Sequence, residues 1–248
     1  MNRRSLAALL FAAVTGCGGA DAHPAGAAPI RVFAAASLTA PFEAVARAFE
    51  AAHPGQKVDV HFAGSPTLVL QIHEGAAVDV FASADDANMR KVVDAGHAAA
   101  APVAFARNHL AIAVAAGNPK GIRELADLAR QDLKVALCGP EVPAGKYARE
   151  ALHKAQVAVA SLSDEPNVKA LVGKVQLGEL DAGIVFVTDT RGPGVTGVGL
   201  PAAHDVTASY PIVVLRTGRN GAGGRAFVDF VRGPQGQALL AEHGFTSP

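Results

Sequence analysis

The chain has 248 residues, half of them hydrophobic and 18% charged, which suffices for one large core or two modest ones and excludes a disordered chain or a coiled coil. Its 22 basic and 22 acidic residues cancel, and no basic block is longer than Arg3-Arg4, so nucleic acid is not an expected partner. Two cysteines, 5% aromatics and no tryptophan exclude a disulfide framework and a base-stacking platform, and the core is expected to be Ala, Val and Leu.

The chain opens with Arg3 and Arg4 ahead of the apolar run Leu6 to Val14, the charge and length of a signal peptide and too short for a mature transmembrane helix. Val14-Thr15-Gly16-Cys17 resembles a bacterial lipobox, which makes Cys17 the expected lipidated N-terminus; the alternative is an ordinary cut near Ala22 or Ala28. Residues 1–29 are thus read as signal peptide, lipobox-like site and a Gly-, Ala- and Pro-rich tether. The mature chain is expected in the periplasm or on the outer face of the cell membrane, touching the membrane through lipid alone.

From Ile30 onward, strands are predicted at 30–35, 56–62, 78–83, 109–115, 133–138, 182–187 and 211–216. Helical periodicity falls at 40–52, 66–75, 86–95, 122–130, 145–155, 167–178, 223–232 and 234–242. The alternation implies an α/β fold with mostly parallel sheets. Strand-like runs sit back to back only at Pro102 to Ala115 and Val195 to Arg216, which predicts two crossings between two lobes. Lobe one is assigned to 30–105 plus 212–248 and lobe two to 106–211, with a ligand cleft between them; the alternative is a single doubly wound sheet.

Four loops after strands offer hydrogen-bond donors. Ser37 ends Ala34-Ala35-Ala36-Ser37 before a helix, and Ser65 precedes Pro66 where another helix starts; the plain reading of each serine is an N-cap. Gly139 to Lys146 superficially suggests a phosphate-binding P-loop, but five residues separate its glycines and Tyr147 stands where Ser or Thr is needed. It and Asp164-Glu165-Pro166-Asn167-Val168 read as helix N-termini presenting bare N–H groups, the second with Val168 in a first helical turn. Donors without cations suit a fully deprotonated oxyanion, whose oxygens only accept. Asp85 and Asp86 read as a helix N-cap and first-turn acid.

The stretches V-F-A-A-A-S-L-T (32–39), F-A-G-S-P-T-L (62–68), D-V-F-A-S-A-D (79–85), P-E-V-P-A-G-K-Y-A (140–148), G-I-V-F-V-T-D (183–189), Y-P-I (210–212) and G-P-Q-G (233–236) resemble the molybdate-binding proteins of bacterial ABC transporters. The resemblance implies the two-lobed periplasmic-binding-protein fold and capture of molybdate or tungstate for a membrane permease and its ATPase. It also implies no cofactor beyond the ligand, a monomer, and binding through Ser37, Ser65, Ala144 and Val168. A tyrosine that usually completes the family's shell is replaced here by Phe186, so that donor is lost; water or Thr188 is the expected substitute.

The rival readings are a binding protein for another oxyanion such as sulfate, and a serine hydrolase using Ser37 or Ser65. The hydrolase lacks a G-x-S-x-G elbow, and none of the nine histidines forms an H-E-x-x-H or H-x-H pair. Cys138 reads as a small buried hydrophobe.

Overall fold

A computed structural model describes residues 28–248, so the signal peptide, most of the tether and Cys17 lie outside the described residues. Five strands form the first sheet: β1 (Ile30–Ala35), β2 (Val58–Ala63), β3 (Val80–Ala82), β4 (Val103–Asn108) and, from far along the chain, β10 (Ala208–Val214). The second sheet holds β5 (Leu110–Ala115), β6 (Val135–Cys138), β7 (Asp164–Glu165), β8 (Ala182–Phe186) and β9 (Val195–Gly199). The strand orders are β2-β1-β3-β10-β4 and β7-β6-β8-β5-β9. The two lobes therefore share one topology, in which the fourth position is taken by the strand that arrives from the other lobe.

That arriving strand is antiparallel to both its neighbours, while all other pairings are parallel. The expectation of mostly parallel sheets holds for strand direction, since one strand per sheet opposes the rest. The exception has a physical cause: a chain that crosses directly, without a helix to bring it back, enters the new sheet from the opposite end.

The crossings shift the expected lobe boundaries. The first is His109, so the sheet changes between Asn108 and Leu110, and residues 106–108 belong with the first sheet; the second spans 200–207, ahead of the expected 211/212 boundary. Pro211 explains that second shift, because a residue without N–H reads as a strand start, whereas here it sits inside β10 at a register irregularity after Tyr210. Asp205 ties the crossings together, accepting from Leu110 N–H at 3.2 Å and pairing with His109 Nδ1 at 2.6 Å.

Seven α-helices cover the sheets: α1 (Thr39–Ala52), α2 (Ser65–His73), α3 (Asp86–Asp94), α4 (Pro143–Lys154), α5 (Val168–Gln176), α6 (Gly221–Arg232) and α7 (Pro234–Glu242). The helix expected at 122–130 is only a 3-10 segment, Leu125–Ala129, whose Asp127 carboxylate accepts from the Arg123 and Glu124 N–H groups ahead of it. Asp85 caps α3, accepting from Asn88 N–H at 2.8 Å, with Asp86 in the first turn.

The aliphatic core expectation holds for lobe two, where Ile112, Val135, Leu137, Leu171 and Ile184 are buried. Lobe one departs from it. Phe42 lies 5.6 Å from Phe105 and 6.0 Å from Phe227 between ring centroids, and Phe49 lies 5.4 Å from Phe227. The few aromatics are concentrated there, each stabilising by about 1.5–3 kcal/mol through burial alone. Cys138 is a fully buried small residue whose thiol pKa burial pushes up. Among the described residues no helix is long and apolar enough to cross a membrane.

Candidate functional site

The two halves of the site occupy equivalent places in the shared topology. In lobe one, β1 runs into a 3-10 turn at Ala36–Leu38, and β2 runs through Gly64 into α2. In lobe two, β6 leads to α4 and β7 leads through Asn167 to α5. Carboxyl ends of adjacent parallel strands, each followed by a helix start, are where α/β sheets bring backbone N–H groups to a ligand. Pro143 stands first in α4, where its missing N–H costs nothing.

Ser37, Ser65, Ala144, Val168 and Phe186 all line one small cavity, with Ala35, Ala36, Gly64, Ala84, Val142, Pro143 and Asn167 completing the wall. No residue in this lining carries a charge. The α2, α4 and α5 N-termini all contribute to it, so the cavity faces three positive dipole ends and no flexible cation.

Neither serine is a cap, contrary to the plain reading of each. Gly64 is the N-cap of α2, and Ser65, one place later, makes no capping bond. Its hydroxyl instead accepts from Ala84 N–H at 3.2 Å, across to the segment after β3. That bond uses a lone pair and leaves the serine's single proton for another acceptor. Ser37, inside the 3-10 turn, places its hydroxyl 2.9 Å from that of Tyr210, which lies 173 residues away. The only cap of this kind in the lining is Asn167, which accepts from Ala170 N–H at 3.0 Å.

The lobes touch around the cavity. A β-carbon at Gly64 would collide with the Pro166 carbonyl oxygen of the opposite lobe, so only glycine permits this approach. At the rim, Asn88 of α3 donates to the Glu141 carbonyl at 3.3 Å, and Lys91 pairs with the Glu141 carboxylate at 3.2 Å. Gly145 is constrained in the same way within lobe two, where a side chain would strike the Cys138 and Gly139 carbonyls and lift α4 off the end of β6.

Phe186 lines the cavity with an apolar edge, its ring 5.7 Å from that of Tyr210. Thr188 does not replace the missing hydroxyl. The strand ends at Phe186, and Thr188 lies beyond it in the 3-10 turn Val187–Arg191, so no strand alternation carries it to the Phe186 side. Its hydroxyl accepts from Asn108 Nδ2 at 2.8 Å and is outside the cavity lining. Tyr210 and Asn108 are the polar groups that sequence reasoning missed; Tyr210 lay within one of the family-like stretches, but its partner is visible only in three dimensions.

One acid lies close by. Asp189 is fully buried, and burial raises its pKa to about 6, opposed by Lys169 at 3.7 Å and by the Phe186 N–H that its Oδ2 accepts at 3.3 Å. Its other oxygen has no hydrogen-bond partner. A wider cleft of about 1050 Å³ adjoins at Ser37 and is flanked by Lys169, Asp189 and Arg191.

Comparison with known proteins adds to this geometry. The family model described as bacterial extracellular solute-binding protein matches residues 30–246. The molybdate-binding protein ModA of Mycobacterium tuberculosis is 40% identical over 251 residues, covering 98% of this chain and 96% of the relative. That of Escherichia coli is 34% identical over 229 residues, covering 88% of each. Among solved structures, the periplasmic molybdate-binding protein of Azotobacter vinelandii superposes with a TM-score of 0.78 at 20% identity, covering 88% of this chain and 99% of that one. The sulfate-binding protein SubI of M. tuberculosis superposes with a TM-score of 0.76 at 21% identity, covering 88% and 86%. At those identities the structural likeness concerns the fold.

Proposed function

The chain belongs to the bacterial extracellular solute-binding proteins and, among them, to the molybdate-binding proteins, and on that premise we propose that it captures molybdate and tungstate outside the cytoplasmic membrane for an ABC transporter permease and its ATPase. The observation that carries this is an uncharged cavity lined by hydrogen-bond donors from both lobes. Ser37 and Ser65 give hydroxyl and backbone donors from one lobe; Ala144 and Val168 give backbone N–H groups from the other. A tetrahedral dianion has oxygens that only accept, and it matches this set. A protonated anion such as hydrogen phosphate also needs a strong acceptor, and no carboxylate lines the cavity to supply one.

Binding, not catalysis, is the role of the two serines in this reading. Cys17 anchors the chain by lipid, and the protein works as a monomer; metabolic labelling with palmitate and light scattering test these two points. Calorimetric titration with molybdate, tungstate, sulfate, phosphate and chromate tests the central reading. Molybdate and tungstate are expected to bind and phosphate not to; silence towards all five anions, or a preference for phosphate, refutes it. Sulfate binding tighter than molybdate assigns the same donor site to the smaller dianion.

A further inference from the structure

Ser37 has one hydroxyl proton, and its direction decides whether the residue can serve an anion. In the pair with Tyr210, at 2.9 Å, either oxygen could be the donor. We propose that Tyr210 is a positioning residue that donates to Ser37 Oγ and so turns the serine's proton toward the bound oxyanion. The inference rests on the oxyanion reading above and deepens it.

The direction follows from what each hydroxyl can reach. His109 N–H lies 2.9 Å from the Asn108 side chain, and since a backbone N–H only donates, the atom facing it is the amide oxygen. The amide nitrogen therefore points the other way. One of its two protons goes to Thr188 Oγ1 at 2.8 Å. In the antiparallel pairing of β4 with β10, Asn108 sits opposite Ala208, so Asn108 and Tyr210 lie on the same face as diagonal neighbours. The phenol hydroxyl is fully buried, and the oxygen paired with it is Ser37 Oγ, whereas Ser37 itself lines the cavity. The serine's proton thus has the cavity to turn to, and the phenol's proton has the serine oxygen.

Ser37 is the acceptor within reach of that proton among the described residues. Both Asn108 and Tyr210 are buried, so bulk water does not compete, and a buried O–H left without an acceptor is costly. Burial also pushes the Tyr210 pKa well above its ordinary value, so the phenol remains a donor at every pH the protein meets. The Phe186 ring packs beside Tyr210 and offers no oxygen that would divert the proton. Ser65 reaches the same state by a simpler route, since Ala84 N–H occupies its oxygen directly. In both serines an accepted bond from behind frees the proton in front.

Tyr210→Phe keeps the ring and removes the relay. It is expected to raise the Kd for molybdate by about two- to twelve-fold, the worth of one ordinary net hydrogen bond. The decisive measurement is the same substitution made in Ser37→Ala, where there is no proton left to orient: there it is expected to change the Kd by less than about two-fold. Wild-type affinity in Tyr210→Phe, or an equal penalty with and without Ser37, overturns the relay and makes Tyr210 a packing residue. Wild-type protein that binds neither molybdate nor tungstate refutes the functional reading itself, whereas a silent or additive Tyr210→Phe in a protein that does bind removes the relay alone.

Discussion

Ser65→Ala separates a ligand-binding serine from a structural one, because the hydroxyl is buried, bonded, and not used as a helix cap. The substitution removes a donor to a charged ligand, worth about 1.5–3 kcal/mol, which is roughly a ten- to 150-fold rise in Kd. It also leaves Ala84 N–H without its acceptor. In the ligand-free protein that costs about 1–3 kcal/mol if nothing replaces the hydroxyl, and less if a single water does so. At about 2–4 °C per kcal/mol for a chain of this size, the ligand-free unfolding temperature should fall by a few degrees. Ligand stabilisation depends on the ratio of ligand concentration to Kd, so at fixed saturating molybdate the shift should shrink by a further 3–12 °C, about 1.5–3 kcal/mol. Calorimetry gives the Kd and thermal unfolding with and without molybdate gives the two shifts. A lowered ligand-free unfolding temperature with an unchanged Kd would falsify the assignment of Ser65 to the anion.

Gly64→Ala should leave the ligand-free protein folded but hold the lobes apart at Pro166, weakening molybdate binding at least about tenfold, the effect of some 1.4 kcal/mol of lost closure. Small-angle scattering of the saturated variant should show a larger radius of gyration than saturated wild type, and equal radii would remove the closure argument. Phe186→Tyr places a hydroxyl at the cavity wall and should tighten molybdate binding by up to about 1.5–3 kcal/mol; equal affinities for molybdate, tungstate and sulfate in both proteins would show that this ring does not reach the anion. For Asp189, the folded pKa of about 6 lies above the ordinary 3.8, so the native state holds the proton more tightly and stability falls as pH rises through that window. Asp189→Asn should therefore gain on the order of 1–3 kcal/mol over wild type above pH 6, with the gap closing below about pH 4. Urea unfolding across pH 4–8 measures this, and a gap that does not change with pH contradicts it.

What the sequence disclosed, and what it hid, divides along one physical line. Elements with their own periodicity were legible: β1, α1, α6 and α7 lie within a residue or two of their expected bounds because amphipathic spacing and local caps determine them. So was the two-lobed plan, since two back-to-back strands without a helix betray a crossing. The edges of the crossings were not, because β4 and β10 pair with partners a hundred residues apart and Pro211 imitates a strand start. At the site, Ser37 and Ser65 stood out in local motifs, Ala144, Val168 and Phe186 through the family resemblance, and all five line one cavity. Their mode of use was hidden. Local statistics favour a capping serine, and only tertiary neighbours show Ser65 receiving Ala84 N–H and Ser37 paired with Tyr210.

The division of donors between lobes bears on release as well as capture. Each helix N-terminus carries about half a positive charge, so the three at the cavity together offset most, but not all, of a dianion's two negative charges. Lobe one contributes one of these ends and both serine hydroxyls, while lobe two contributes two ends and no hydroxyl. An anion left on either lobe after opening therefore keeps only part of its compensation, and water regains access to oxygens that the closed cavity had shielded. A lysine or arginine on one wall would have retained the ligand on that lobe however wide the cleft opened. With none in the lining, holding the lobes apart is enough to lower the affinity of both halves at once. A permease that grips the two lobes separately would thus release the oxyanion by separating Gly64 from Pro166 and Lys91 from Glu141, with no proton or counter-ion to supply.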